Sequence, residues 1–426
     1  MGTDGRGPAP GRSSGALGTW ARRRAAPLSA TVATLVVGMD YVILWTGLPR
    51  GPFGIWLAPS DLWGTYLASV SLVHGHLTSV YAAFPGMVVL MAPVAALGTA
   101  LHLEVGPEFA AFAAPTGWLL VGPFELLVAS TPLFAMDAFA EELGSSRKLR
   151  WALAFAEAVI LANVTIKWGH PEDALSIGLV LFALLDTSRG RWARAGWLLG
   201  FAIAVQPFAL LALPAVGAFA VRRGGMRPLA DIAVRAVVPA ACLLLPALVF
   251  DWHQATIWLR DQPNYPTFNH QTPWTAMAPR LPGRAGAVSA GPMRLVAVVV
   301  AGAVEVTTCY LRPRAPMLVW SVLVGFVIWL AFESVLDSYY TWPVLALGIL
   351  LAATAGWGRF AAATGLALFA TWFSNERWQG IWSWWTLMML VLVAIAVVAY
   401  PGGGALGRRA EETDKAGVGA QDPAPE

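Results

Sequence analysis

From residue 29 to residue 400 the chain alternates apolar runs with short polar stretches. The runs fall near 29–47, 84–101, 115–136, 151–166, 174–186, 193–205, 207–221, 229–250, 294–310, 316–332, 339–355, 357–373 and 381–400. A helix crossing a hydrocarbon core of about 30 Å needs roughly 17–25 apolar residues, so the pattern predicts membrane-crossing helices, several of them short. The polar stretch after the first run has a period of its own. In "PSDLWGTYLASVSLVHGHLTSVYAAFPG" (59–86), Leu62, Trp63, Tyr66, Leu67, Val70 and Val73 recur at helical spacing among Ser and Thr. That spacing predicts a helix lying in the membrane interface. The expected fold class is all-α: a polytopic transmembrane helical bundle of about 11–13 spans with external interfacial helices. No internal repeat is visible.

Composition agrees. Of 426 residues, 57% are hydrophobic and 12% charged, with mean hydropathy +0.61, against about 25% charged in soluble domains. The net charge of +3 implies no nucleic-acid partner, because Lys and Arg sit mostly in short loops between apolar runs. Those loops set the orientation. The basic stretches 189–194, 222–227, 312–314 and 407–409 read as cytoplasmic, which places 48–83, 168–173, 251–293, 333–338 and 374–380 outside. One basic loop, "SSRKLR" (145–150), resists this alternation, since two crossings after an external 48–83 would leave it outside. Either one of the segments 84–101 and 115–136 does not cross, or a third does. Residues 1–28 and 401–426, rich in Gly, Pro, Ala and charge, predict disordered cytoplasmic tails around a domain at 29–400. The cluster Arg22-Arg23-Arg24 then precedes an uncleaved first span, and the protein is expected in the plasma membrane as a multi-pass chain with lipid neighbours. Cys242 and Cys309 lie in separate apolar runs with neither disulfide nor metal spacing.

Candidate chemistry gathers on the external side. "GHPEDAL" puts His170, Glu172 and Asp173 at the start of an apolar run. Pro171 suits a first helical position and the two acids suit a first turn, so capping is one reading. The other is a site, because one anion would satisfy the dipole, and charge buried toward the bilayer centre costs up to about 3 kcal/mol per group. Asp61 stands just ahead of the interfacial helix, as a cap or as an oriented base. The loop 251–284 carries Arg260, Arg280 and Arg284 on the side that normally avoids cations, with His253 and His270 among aromatic residues. These residues suit either a phosphate or ordinary solvation. "FESVLDSYYTWP" (332–343) brings Glu333, Asp337, Tyr339 and Tyr340 to the same face as candidate site lining, while "TWFSNERWQGIWSWW" (371–385) reads as an aromatic belt. There is no Gly-rich phosphate loop, no nucleotide-binding βαβ unit, and no His or Cys pair at metal spacing. No cofactor and no metal are expected.

The external Asp followed by "LWGTYLASVSLVHGHLTSVY" and Phe84-Pro85, then "WGHPEDALSIGLVLFALLDTSRGRWARAGWLLGFAIAVQPFALLALP", resembles polytopic GT-C-type glycosyltransferases of actinobacteria. The resemblance covers most of residues 29–355. It implies a GT-C-like fold and a polyprenyl-phosphate sugar, typically mannose, as donor, with a lipid or glycan acceptor. It also implies that Asp61 is the general base and that the transfer inverts the anomeric carbon. On this reading His170, Glu172, Asp173, His253, Arg260, His270, Arg280, Tyr339 and Tyr340 bind substrate. Where relatives often carry Lys before Pro, this chain has Gln206-Pro207. A transporter or flippase for a polar or lipid-linked solute is the alternative, with the paired acids coupled to protons. A scaffold would tolerate changes at both acidic motifs.

Overall fold

The structure is a computed structural model that describes residues 13–46, 60–77, 79, 85–102, 115–250, 252–253, 263–267, 269–376 and 382–403. It is mostly helical. The helices are α1 (Ser13–Arg23), α2 (Ala25–Thr46), α3 (Ser60–Val73), α4 (Pro85–Ala100), α5 (Pro115–Ala129), α6 (Thr131–Glu142), α7 (Arg147–Ala162) and α8 (Pro171–Ser188). They continue as α9 (Trp192–Val205), α10 (Leu213–Gly224), α11 (Met226–Phe250), α12 (Met293–Leu311), α13 (Ala315–Phe332), α14 (Trp342–Ala355), α15 (Trp357–Phe373) and α16 (Ser383–Val398). Two short strands, β1 (His270–Gln271) and β2 (Val335–Leu336), pair antiparallel with His270 opposite Leu336. Proline at the first or second position opens α6, α8, α10, α13 and α14, where its missing N–H has no helical partner to lose.

Among the described residues, five helical stretches are long and apolar enough to cross a membrane: Leu119–Glu142, Arg147–Trp168, Met293–Leu311, Ala315–Phe332 and Ser338–Ala355. Four shorter apolar stretches, Ala25–Asp40, Pro85–Ala100, Trp192–Val205 and Ser383–Val398, accompany them. Helix α14 is apolar all round and buried from Trp342 to Ala353, as a central helix must be. It packs in one core with α8, α9, α13 and α16, through residues such as Leu181, Leu199, Phe326, Leu347 and Leu392. Helix α12 instead leaves Leu295, Val299 and Leu311 exposed, the surface that suits hydrocarbon.

One end of the bundle is tied by ion pairs. Arg24 donates to Asp137 at 2.5 Å, and Arg150 donates to the same carboxylate at 2.7 and 2.8 Å and to Glu141 at 3.0 Å. Arg23 also pairs with Glu141, and Arg189 with Glu142. The predicted disordered tail is therefore corrected over its last part. Helix α1 occupies Ser13–Arg23 and α2 begins at Ala25, because the arginine cluster finds buried and half-buried carboxylates to bind. The tail call for 404–426 lies outside the described residues.

The basic loop 145–150 now has its explanation. It shares the end where Arg24 meets Asp137, so α5 and α6 run from the opposite end toward it over Leu119–Glu142. Helix α4 stays near that opposite end. An added Cβ at Gly86 would collide with the Ala204 carbonyl near the end of α9, and one at Gly98 would meet the Tyr66 hydroxyl and Leu120. Leu62, Trp63 and Tyr66 of α3 are buried against Met87 and Met91 of α4. The predicted interfacial helix is thus one arm of an α3–α4 pair, and the run at 84–101 is its other arm.

Candidate functional site

The site begins where α7 ends. Its last turn widens into a π-helical turn, Asn163–Trp168, and Gly169 follows in the left-handed region at φ 76°. Any side chain there would be strained, so the glycine lets the chain reverse sharply. His170 then occupies the N-cap position and Pro171 the first turn of α8. No side chain caps this helix. Glu172 bonds His170 of the same turn instead, and Asp173 bonds Gln206 beyond α9.

His170 is the hub. Its Nε2–H donates to Asp61 Oδ2 on α3 at 2.8 Å, and its Nδ1–H donates to Glu172 Oε1 at 2.6 Å. Its ring stacks on Tyr339 with centroids 3.8 Å apart. Asp173 accepts from Gln206 Nε2 at 2.6 Å, so the glutamine before Pro207 is a neutral partner for a buried acid. The Asp61 side chain is 47% exposed while those of His170 and Glu172 are almost fully buried. The cluster is therefore a buried charged chain with one carboxylate at its mouth. Burial alone would pull the His170 imidazolium down, but Glu172 and Asp61 outweigh it and hold its pKa well above the ordinary value.

Two more acids complete the surroundings. Glu125 of α5 is fully buried within electrostatic reach of Glu172 and His170. Asp337, after β2, accepts from the Tyr339 hydroxyl at 3.2 Å. Nearby, Arg294 grips the fully buried Glu333 with two hydrogen bonds of 2.6 and 2.9 Å, and Tyr340 lies edge-on to Tyr339. Among these groups, His170, Glu172 and Asp173 are close enough to share a metal ion.

Burial pushes the Asp337 carboxyl up to about 6, with His170 and the tyrosine hydroxyls opposing. The folded protein then keeps a proton that the unfolded chain releases near 3.8. Stability from this group is full below the unfolded value, falls as pH rises through the window between the two, and stays low above it. Asp337→Asn removes the cost of burying charge. It is expected to stabilise by about 2–3 kcal/mol at pH 8 and by far less at pH 4, read as thermal unfolding in detergent. Equal gains at both pH values would remove charge burial as the cause.

Of the residues expected to bind substrate, the structure brings His170, Glu172, Asp173 and Tyr339 to Asp61, with Tyr340 beside Tyr339. Asp61 stands within the first turn of α3 rather than ahead of it. The capping reading of the two acids is corrected to the extent that their side chains bond His170 and Gln206. His270 is also reassigned. Its ring lies flat on Trp384 at 3.5 Å and its Nε2–H donates to the Ser374 carbonyl at 2.8 Å, so it fastens β1 to the α15–α16 corner. Trp384 is buried in that contact, whereas Trp372 and Trp382 are exposed as a belt requires. His253 is exposed just past α11, and Arg260 lies outside the described residues. Arg280 is exposed and lines a cavity of about 1150 Å³ with Arg284, Thr272, Thr275 and Gln271. Glu125 and Arg294 were missed. A lone acid inside the apolar run 115–136 was the available signal for Glu125, and nothing local marked Arg294.

Comparison with known protein families and with curated proteins finds no match to this chain.

Proposed function

We propose that this chain is an integral-membrane, inverting hexosyltransferase of GT-C-like architecture in the plasma membrane. It moves a sugar, mannose by resemblance, from a polyprenyl-phosphate donor to a lipid or glycan acceptor on the extracytoplasmic face. The observation that carries this reading is the 2.8 Å contact between His170 and Asp61, which are 109 residues apart. It joins the acid of the first external loop to the His-Pro-Glu-Asp turn, the two stretches that carry the resemblance. With α3 and α4 counted as an external pair, the helices make about twelve crossings, both tails are cytoplasmic, and the site faces out.

Chemically, Asp61 takes the proton of an acceptor hydroxyl. The oxygen attacks the anomeric carbon as the carbon–oxygen bond to phosphate breaks, and polyprenyl phosphate leaves with the bonding pair. His170, donating to Asp61 Oδ2, holds that carboxylate in one orientation. Arg280 and Arg284, on the wall of the loop cavity, suit the phosphate. Protein in nanodiscs given polyprenyl-phosphomannose and membrane acceptors is expected to yield a hexose-bearing acceptor by mass spectrometry. No transfer, together with solute movement across liposomes that needs no sugar lipid, would establish the transporter instead.

The orientation has its own test. Cysteine at the exposed position Arg284 is expected to react with an impermeant maleimide in intact cells, and cysteine at the exposed position Lys148 is expected to react only after lysis. The reverse pattern would place the His170 cluster in the cytoplasm and remove the polyprenyl-linked donor from reach.

A further inference from the structure

Several carboxyl groups surround the one imidazole of His170. Glu172 and Asp61 touch the imidazole, and Asp173, Glu125 and Asp337 lie within its electrostatic reach. Glu125 is 0% exposed and Glu172 1%. Among the described residues, neither oxygen of Glu125 has a hydrogen-bond partner, and Glu172 Oε2 has none either. A buried oxygen left without a donor is costly, and a cation is the ligand that several such oxygens beside one imidazole suit.

We propose that His170, Glu172 and Asp173 form a binding site for a divalent cation of the manganese or zinc kind. One ligand atom from each residue lies within 4.8 Å of the others, and a cation about 2.0–2.2 Å from each would draw the more distant atoms in while parting His170 Nδ1 from Glu172 Oε1, now 2.6 Å apart. Nδ1 of His170 faces Glu172 while Nε2–H donates to Asp61. A metal-bound histidine is commonly held in this way, with its second nitrogen fixed by an outer carboxylate. Glu125, buried beside Glu172 and without a partner, offers further oxygens. One imidazole with two or three carboxylates suits Mn²⁺ or Zn²⁺ better than ions that prefer an all-oxygen or a thiolate shell. The expectation of no metal followed from sequence spacing alone, which does not register a third and fourth oxygen supplied by the fold.

The inference concerns this pocket whatever reaction it serves, and its test uses no sugar donor, so it stands or falls apart from the transferase reading. Purified protein is stripped with a chelator and titrated with Mn²⁺ while the signal of the free ion is followed by electron paramagnetic resonance. The expected result is uptake of one equivalent, nitrogen coupling from one imidazole in the pulsed spectrum, and displacement by Zn²⁺. Glu172→Gln and Asp173→Asn are expected to weaken uptake by about tenfold or more, and Asp61→Asn by about 10–100-fold. Glu305→Gln, at a buried acid on α12, is expected to leave it unchanged. No uptake by the wild-type protein up to about 1 mM, or bound Mn²⁺ without nitrogen coupling, overturns the proposal. Equal uptake by the wild type and a folded Glu172→Gln or Asp173→Asn protein does the same. The first two readings need only the wild-type chain, so a variant that fails to fold does not shield the proposal.

Discussion

Asp61→Asn is expected to lower hexose transfer by about 10²–10⁴-fold while expression and thermal stability stay near wild type. The amide keeps the shape of the side chain and can still accept from His170 Nε2–H through its oxygen. It serves the first turn of α3 about as well as the acid does. What it lacks is basicity, so the acceptor hydroxyl must lose its proton to water instead. Because the Asp61 side chain is 47% exposed, the substitution buries no new polar group, which separates this loss from a folding defect. Wild-type transfer by Asp61→Asn would show that the carboxylate only orients His170, and the base would then have to be sought at Glu172 or Asp173.

The largest stability effect is expected at a pair of which the sequence marked only the acid. Arg294 donates two hydrogen bonds to Glu333, which is 0% exposed and sits where α13 leads into β2. Arg294→Ala leaves that carboxylate buried without its partner, and the expected cost is about 3–5 kcal/mol. Replacing Glu333 as well should recover most of the loss, because Arg294→Ala with Glu333→Gln removes both charges together. A double-mutant cycle on thermal unfolding measures this directly. Little loss in Arg294→Ala would mean that water or another cation reaches Glu333. The pair also fixes the segment that positions Asp337 and the two tyrosines, so a loss of transfer activity should accompany the loss of stability and return with the double variant.

Much of the fold was legible because helices long and apolar enough to cross a membrane announce themselves in one dimension. Apolar length and the placement of Arg and Lys are local properties, and they gave α7 through α16 nearly at their observed limits. The interfacial period of residues 62–73 was equally local. The sequence also located the His-Pro-Glu-Asp turn and Asp61 as candidate chemistry, since paired acids at a membrane surface are costly unless something uses them.

What the sequence could not decide was which polar groups meet. Whether 84–101 crosses or folds back on α3 depends on Gly86 fitting against the Ala204 carbonyl and Gly98 against Tyr66, contacts between residues far apart in the chain. The capping and site readings of Glu172 and Asp173 are indistinguishable by spacing, because both place acids in a first turn. Only the fold brings Asp61, Gln206 and Glu125 to them. His270 and Arg280 share one loop and looked alike in sequence, yet one is stacked on Trp384 and the other faces a cavity. Hydrophobic periodicity therefore determined by itself which segments are helices and where polar chemistry could lie. Tertiary packing decided which charges are buried together, because the energy of a buried charge depends on partners brought from other helices and not on its neighbours along the chain.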